Sequence, residues 1–530
     1  MRRYASVVKA AEEGRLPAQG AAAEGFVRGG IRRVRDASFW RKPLWVMARL
    51  LWDRAPWLAQ PLAKLRRRMM PGLYVPGADG NNDETTASLG DESLLPPLRR
   101  DGAGVVHYIG SLQAGGAERQ LVYTLAGLRE RGVSTGLVVS EGLKGGLGHY
   151  LPHVQKLGVE VRWAGERVDP AFARMLAEEP ALREAFGRVP LYLRSRVTEA
   201  AAEFRLLQAA VVHCWLDHTN VWGGVAARIA GVPHVILSTR NVSPLHMPHL
   251  MAPWFLPWYR WLAAQPGVRL VNNSRAGAED YAAWLGLPAE RFQVILNGVD
   301  FSTIRTPQAA EVEEARRAVR HRPGRRLVVG VFRLADEKQP LVFVEVMRQV
   351  MAARPEVDAA ILGTGVLVRQ VKSRIRALGL SRRFHLLGRR SDVPAFLTAA
   401  DLMLLTSKAE GTPNVLLEAQ HLRCPPVSTR AGGAVDAILD GRTGFLADVG
   451  DVPALVSQVQ RLLDDEPLRR SMASCGPEFV RERFGLARMI DETEALYGSM
   501  DPEGAWRRGN PRLLPADQRG EARRPSRSPA

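Results

Sequence analysis

Two glutamates eight positions apart, Glu410 and Glu418, stand in the stretch SKAEGTPNVLLEAQ at residues 407–420. The stretch follows the apolar run LMLLT, so it opens at the C-terminal end of a strand. Thr412, Pro413, Asn414 and Val415 then start a helix, with the proline suited to its first turn. The free backbone N–H groups of such a start attract phosphate. Eight residues of helix rise about 12 Å, too far for the carboxylates to share one proton or one metal ion. They can reach hydroxyls at opposite ends of an elongated ligand whose diphosphate lies between them. A nucleotide-sugar has that shape. The pair alone is equally compatible with two solvated surface glutamates.

Other strand ends carry matching chemistry. Phe332–Pro340 reads FRLADEKQP directly after an apolar run and supplies Arg333 and Lys338. Two cations there can neutralise a leaving diphosphate without a metal ion. LGTG at residues 362–365 ends another strand, and Gly363 lets a base or ribose approach the backbone. The backbone of Leu387–Arg389, in HLLGRR, could read a nucleobase edge. Upstream, GSLQAGG places Gly115 and Gly116 between a strand and a helix. No strand ends in a DxD motif, no His, Cys and acidic residues cluster at zinc spacing, and neither GxSxG nor GxxxxGK[ST] occurs.

The elements that would position these residues alternate along the chain. Val105–Ile109, VSTGLVVS, VPHVILSTR and VRLVNNS read as strands of a first half. Leu121, Leu125 and Leu128 share one helical face, and Gly132 is placed to stop that helix. After residue 323 the spacing predicts strands at 327–332, 357–362, 384–387, 402–405 and 426–429, with helices at 340–353, 365–378, 392–400, 413–423 and 452–464. Such alternation implies parallel sheets covered on both faces, with ligands at the strand C-termini. The expected division is an extension and linker at 1–103, one half at 104–300, a second at 301–485, a helix at 486–500 and a disordered tail at 501–530.

The whole chain of 530 residues is globular in composition, 46% hydrophobic and 24% charged. Its net charge of +18 is concentrated at the ends. Residues 1–70 hold 16 Lys/Arg against 5 Asp/Glu, and residues 501–530 hold 7 Arg against 4 acids. Residues 38–70, with four tryptophans among Arg and Lys, fit either an interfacial amphipathic segment on an anionic membrane or a helical extension packed on the body. Residues 244–264, crowded with Trp, Tyr, Phe and Met, suit either a lipid-linked acceptor or a buried helix. Three scattered cysteines fit a reducing compartment. With no apolar run long enough to span a bilayer and no signal-peptide pattern, the expectation is a cytoplasmic protein, peripheral on the inner face of the plasma membrane.

In order, RLxxEKxP, LGxG, LLGxxxDVPxFLxxADLxLLxS, EGxPNxLLEA and GGxxDxIxDGxTGFL resemble glycosyltransferase family 4, as do GGAERQL at 115–121 and LNGVD at 296–300. The resemblance covers roughly residues 105–500. It implies an α/β GT-B fold, two doubly wound Rossmann-like domains facing a cleft. It also implies a retaining, metal-independent hexosyltransferase that takes a nucleotide-sugar as substrate, needs no further cofactor, and serves polysaccharide, lipopolysaccharide or glycolipid synthesis on a glycan or lipid-linked acceptor. Glu410 would contact the donor sugar, Glu418 the ribose, and Arg333 and Lys338 the diphosphate. Gly115–Gly116 would present amides near the reacting phosphate, and a helix near Arg488–Tyr497 would cross back to the first domain. Many members carry a histidine where this chain has Arg240. An arginine stays protonated and cannot be a general base, but it can bind a phosphate or an acceptor carboxylate. His213 and His218 lie in the same half, as ligand contacts or as core and loop histidines. Two other readings share these features: a GT-B sugar-nucleotide epimerase, and a non-enzymatic binding protein with basic ends. The ends lack RNA-specific chemistry, so no nucleic acid is expected.

Overall fold

The structure, a computed structural model, describes residues 95–165, 170–247 and 250–514. The amphipathic segment at 38–70 lies outside them. The chain divides into two compact units, and the one comprising residues 97–167 and 196–530 carries both sheets. The other includes residues 168–195, with helices Pro170–Glu178 and Pro180–Arg188 joined by an edge-on Phe172–Phe186 contact. The half expected over 104–300 is thus interrupted by a separately clustered helical segment.

The first sheet contains β1 (Val105–Ile109), β2 (Thr135–Val139), β3 (Glu160–Trp163), β4 (Val211–Trp215), β5 (His234–Ser238), β6 (Val268–Asn272) and β7 (Phe292–Val294). Its order is β3-β2-β1-β4-β5-β6-β7, and every pairing is parallel. The second contains β8 (Arg326–Val331), β9 (Val357–Leu362), β10 (Phe384–Gly388), β11 (Leu402–Leu405), β12 (Pro426–Thr429) and β13 (Phe445–Ala447). Its order is β10-β9-β8-β11-β12-β13, again all parallel. The central strands are buried on both faces, which is why they read as mostly apolar runs, interrupted by His107, His213 and Asp358. Strand order reverses between β1 and β4 and between β8 and β11, and the crevices beyond those strand ends are where such sheets take ligands.

The helices that position the crevices are α1 (Gly116–Glu130), α2 (Asp217–Ile229), α3 (Phe255–Ala264), α4 (Arg275–Leu285), α5 (Pro340–Ala353), α6 (Asn414–His421) and α7 (Leu486–Met500). Local signals account for their ends. Ser274 caps α4 by accepting from the Gly277 N–H at 3.0 Å, and Gly286 closes it in the left-handed region. Pro340 opens α5 at its first turn. The α3 part of the apolar stretch at 244–264 is core, because Phe255, Trp258, Tyr259 and Leu262 are fully buried, whereas Leu245 and Leu250 ahead of it are exposed. Among the described residues no helix is long and apolar enough to cross a membrane.

The chain crosses between the halves twice, side by side. The Val299 N–H donates to the Phe484 carbonyl at 2.8 Å, and the Leu486 N–H returns to the Val299 carbonyl at 3.2 Å. Gln120 clamps the same crossing, exchanging 2.8 Å hydrogen bonds with both the N–H and the carbonyl of Gly298. Helix α7 then completes the core of the first half. Met489, Ile490, Leu496 and Tyr497 pack with Val105, Leu128, Val211 and Ile236. Helix α1 admits α7 at Gly127, where a Cβ would come 2.4 Å from Ile490 Cγ1.

Two expected boundaries are corrected. Residues 501–514 are folded rather than disordered. Trp506 joins the α7 core, Leu513 is fully buried, and Asn510 Nδ2 donates at 2.8 Å to the carbonyls of Ala103 and Leu207. Burying a side chain such as Leu513 contributes about 1.5–3 kcal/mol, enough to hold a short proline-containing turn in place. At the other end, residues 97–103 do not behave as linker. The Arg99 N–H bonds to the Gly231 carbonyl at 2.7 Å, and the Ala103 N–H to the Gln208 carbonyl at 2.9 Å.

Candidate active site

The loop after β11 presents Glu410, which is almost wholly buried. Its Oε1 accepts from Lys338 Nζ at 2.5 Å and from Ser407 Oγ at 2.6 Å. Lys338 ends the short turn Asp336–Lys338 after β8, so the two strands at the order reversal each contribute one member of the ion pair. A lysine ammonium has three donors, and two remain after Glu410 is served. Arg333 projects outward, 68% exposed, and bonds Glu337 at 2.5 Å. Burial pushes the Glu337 carboxyl up, but the Arg333 guanidinium and a backbone N–H outweigh it and hold the group below its usual range. The Lys408 N–H, donating to the Glu337 carbonyl at 2.9 Å, ties the two loops together.

Helix α6 begins beside this pair. Pro413 precedes its first residue, and Val415 is half-buried. Asn297, from the crossing segment, donates its amide to the Thr412 carbonyl at 3.1 Å and to Asn414 Oδ1 at 2.8 Å. Thr412 Oγ1 donates to the Asn273 carbonyl at 2.5 Å. Glu418, one face along the helix, accepts from Arg119 Nη2 of α1 at 2.7 Å. Glycines make room around Glu410: a Cβ on Gly432 would come 2.0 Å from the Glu410 carbonyl, and Gly432 has φ +49°.

The second sheet also supplies a backbone platform. Gly363, with φ +147°, donates its N–H to the Gly388 carbonyl at 2.7 Å. A side chain at Gly363 would meet the Phe332 carbonyl at 1.9 Å. The bridge fixes Leu387, half-buried, and Arg389, exposed, beside the end of β9.

In the first half, Gly115 sits in extended backbone ahead of α1, and Gly116 is exposed within reach of Asn414: a Cβ there would lie 3.6 Å from Asn414 Nδ2. Gly115 is packed on the Glu118 carboxyl, which burial pushes up. Arg240 follows β5 in the left-handed region at φ +68° and is only 7% exposed. Its Nη2 donates to Asn297 Oδ1 at 2.6 Å, and its guanidinium lies 5.0 Å over the Trp215 ring. Burial pushes it down to about 9, so it stays charged at neutral pH.

The expectation of a ligand contact at His213 is corrected. Its Nδ1 faces Tyr497 Oη at 2.9 Å, its Nε2 is sealed from solvent, and burial keeps the ring neutral. It stacks on Trp215 at 4.8 Å and therefore stands behind Arg240 rather than in the crevice. His218 packs among Trp222, Trp254 and Phe255, and burial pulls it down as well. Among the described residues no three His, Cys, Asp or Glu side chains converge as metal ligands.

Glu410, Lys338, Ser407, Thr412, Asn414 and Gly116 thus meet at one seam. Sequence reasoning missed Asn297, Ser407 and Arg119. Asn297 lies in the LNGVD motif, where it reads as a turn residue, and Arg119 lies in GGAERQL.

Each half matches one family profile. Residues 114–303 match Glycosyltransferase Family 4, and residues 311–479 match Glycosyl transferases group 1. The chain belongs to glycosyltransferase family 4. This glycosyltransferase is 27% identical over 398 residues to the Vi polysaccharide biosynthesis protein of Salmonella typhi, covering 72% of this chain and 69% of that one. It is 26% identical over 293 residues to an Escherichia coli UDP-Gal:alpha-D-GlcNAc-diphosphoundecaprenol alpha-1,3-galactosyltransferase, covering 55% of this chain and 75% of that one. In fold, the glycosyltransferase matches Anabaena HepE in complex with UDP-glucose at TM-score 0.60 and 20% identity, over 74% of this chain and 99% of that one.

Proposed function

We propose that this glycosyltransferase moves a hexose from a nucleotide-sugar to a glycan or lipid-linked acceptor, with retention and without a metal ion, in the synthesis of a surface polysaccharide or glycolipid. The observation that carries the reading is the Lys338–Glu410–Ser407 group at the reversal of the second sheet, beside the start of α6. The relatives support the donor class: one is named for UDP-galactose and a diphosphoundecaprenol acceptor, and a structure of the same fold holds UDP-glucose.

In this reading the diphosphate lies against the N–H groups opening α6, at Asn414 and Val415, with Lys338 and Arg333 as its cations. Glu418 holds the ribose hydroxyls, exchanging its bond to Arg119 for them. The base edge lies on the Gly363 and Leu387–Arg389 backbone. Glu410, fixed by Lys338 and Ser407, holds the sugar hydroxyls. The bond from the anomeric carbon to the phosphate oxygen breaks, and the acceptor oxygen attaches on the same face. Its proton passes to the leaving phosphate oxygen, so no side-chain base is required. The amides at Gly115–Gly116 and the positive end of α1 face the charge that develops there.

The test is release of UDP from UDP-hexoses with and without candidate acceptors, in buffer containing EDTA, with the product anomer read by NMR. Acceptor-dependent UDP release with retained configuration supports the reading. An inverted product, or activity lost to EDTA and restored by a divalent cation, overturns the corresponding part. Conversion of the nucleotide-sugar without acceptor would move the epimerase reading to first place.

A further inference from the structure

The guanidinium of Arg240 is a buried charge with no counterion. Among the described residues it makes no ion pair, its Nε is sealed from solvent without a partner, and its hydrogen bond goes to the neutral amide of Asn297. Moving a cation out of water without an anion is costly, so such groups persist where a ligand supplies the missing charge.

The surroundings fix the guanidinium rather than neutralise it. Trp215 lies beneath it, His213 stacks beneath Trp215, and Tyr497 of α7 holds His213. His107 extends the stack, 5.3 Å from His213, and accepts from Trp215 Nε1 at 3.2 Å. Neither imidazole carries charge at neutral pH, because burial lowers both. The column is a rigid, uncharged pedestal.

Its position names the ligand. A Cβ on Gly411 would touch the Arg240 carbonyl at 2.4 Å, and Asn297 joins Arg240 to Thr412 and Asn414. Through Asn297 the guanidinium is one side chain away from Thr412 and Asn414, beside Glu410, which in the proposed function holds the sugar. The diphosphate already has Lys338 and Arg333. A planar guanidinium matches a carboxylate in fork geometry, which a hexose does not carry and a hexuronate does.

We propose that Arg240 is a specificity residue for a sugar carboxylate, so that the cleft takes a uronic acid. This rests on the transferase reading above. The carboxylate can come from the donor sugar or from the acceptor's terminal sugar, and the experiment separates them.

Binding is measured by calorimetry on the full chain, wild type and Arg240→Gln, with folding checked by circular dichroism. In the first arm the ligands are UDP-glucose against UDP-glucuronate and UDP-galactose against UDP-galacturonate. In the second, with UDP present, they are methyl hexosides against methyl hexuronosides. Wild-type preference for the acid of at least ~10-fold in the first arm places the carboxylate on the donor; in the second arm it places it on the acceptor. In either case Arg240→Gln is expected to bind acid and neutral sugar alike. Wild type that binds UDP but discriminates in neither arm overturns the proposal while leaving the transferase reading intact. Wild type that binds no nucleotide counts against that reading itself. Should Arg240→Gln fail to fold, the wild-type comparison still decides, and Arg240→Lys, which keeps the charge but loses the fork, is expected to keep only part of the preference.

Discussion

The two sheets share one plan and use it differently at their order reversals. In the second sheet the loops after β8 and β11 bring opposite charges together, Lys338 on Glu410. In the first sheet the loop after β1 carries two glycines, and the nearby end of β5 carries Arg240, a cation with no anion beside it among the described residues. A satisfied pair is a site already set for a ligand that brings its own counter-charges, as a nucleoside diphosphate does. An unsatisfied cation is a site that a ligand has to complete. The shared plan therefore positions, while the charge balance of each crevice selects.

The sharpest way to break that comparison is to remove the charge pair. Glu410→Gln keeps the shape and is expected to lower kcat by ~10³-fold, read as release of the nucleoside diphosphate at saturating substrates. An unchanged kcat would take Glu410 out of the reaction. Lys338→Ala leaves a buried carboxylate whose cation is gone. We expect kcat/KM for the donor to fall ~10²-fold and stability to drop by about 1–3 kcal/mol, measured as a urea midpoint. Loss of stability with full activity would make the pair purely structural.

The first sheet is broken at its seam with α7. Gly127→Val puts a side chain where Ile490 Cγ1 now sits, and is expected to cost about 2–3 kcal/mol. Asp217 gives that half a pH signature. Burial raises its carboxyl to about 6, against hydrogen bonds from Tyr281 and Tyr259 that lower it. The folded state then holds this proton more tightly than the unfolded chain, whose value is near 3.8. The stability from this group is complete below about pH 4 and is lost as pH rises through 6. The loss is on the order of 2–3 kcal/mol, and Asp217→Asn is expected to flatten that limb in urea midpoints taken across the window. The smallest effect is expected at Glu418→Ala, a rise of ~10-fold in donor KM with kcat nearly kept, because ribose is held alike in ground and transition states. A fall in kcat instead would show that its bond to Arg119 matters to the chemistry.

The second half was the more legible in sequence. Its strands at 357–362, 402–405 and 426–429 were readable to the residue, because doubly buried strands are mostly apolar and Gly363, Asp401 and Pro426 stand at or beside their ends. In the first half β3 escaped notice, since EVRW at a sheet edge carries two charges in four residues. Glu410, Lys338 and the start of α6 stood out because motif and strand end coincide. Asn297 did not, because an Asn-Gly pair reads as a turn whether or not its amide joins two loops. The state of Arg240 was hidden for another reason. Burial and the lack of a counterion are properties of the assembled neighbourhood, and the residue letter is silent on both. Composition misled at residues 501–514, where Arg, Pro and Gly dominate and two large apolar side chains, Trp506 and Leu513, do the anchoring.

The return of α7 also sets a timetable. A ribosome emits the first sheet's strands by residue 294, but Met489, Ile490, Tyr497 and Trp506, which finish their core, come after the entire second half. At 5–20 residues per second that interval lasts roughly 10–40 s. Through it the nascent first half holds an apolar seat open. The half made first is finished last, and its demand for chaperone shelter during synthesis is set by the length of the other half.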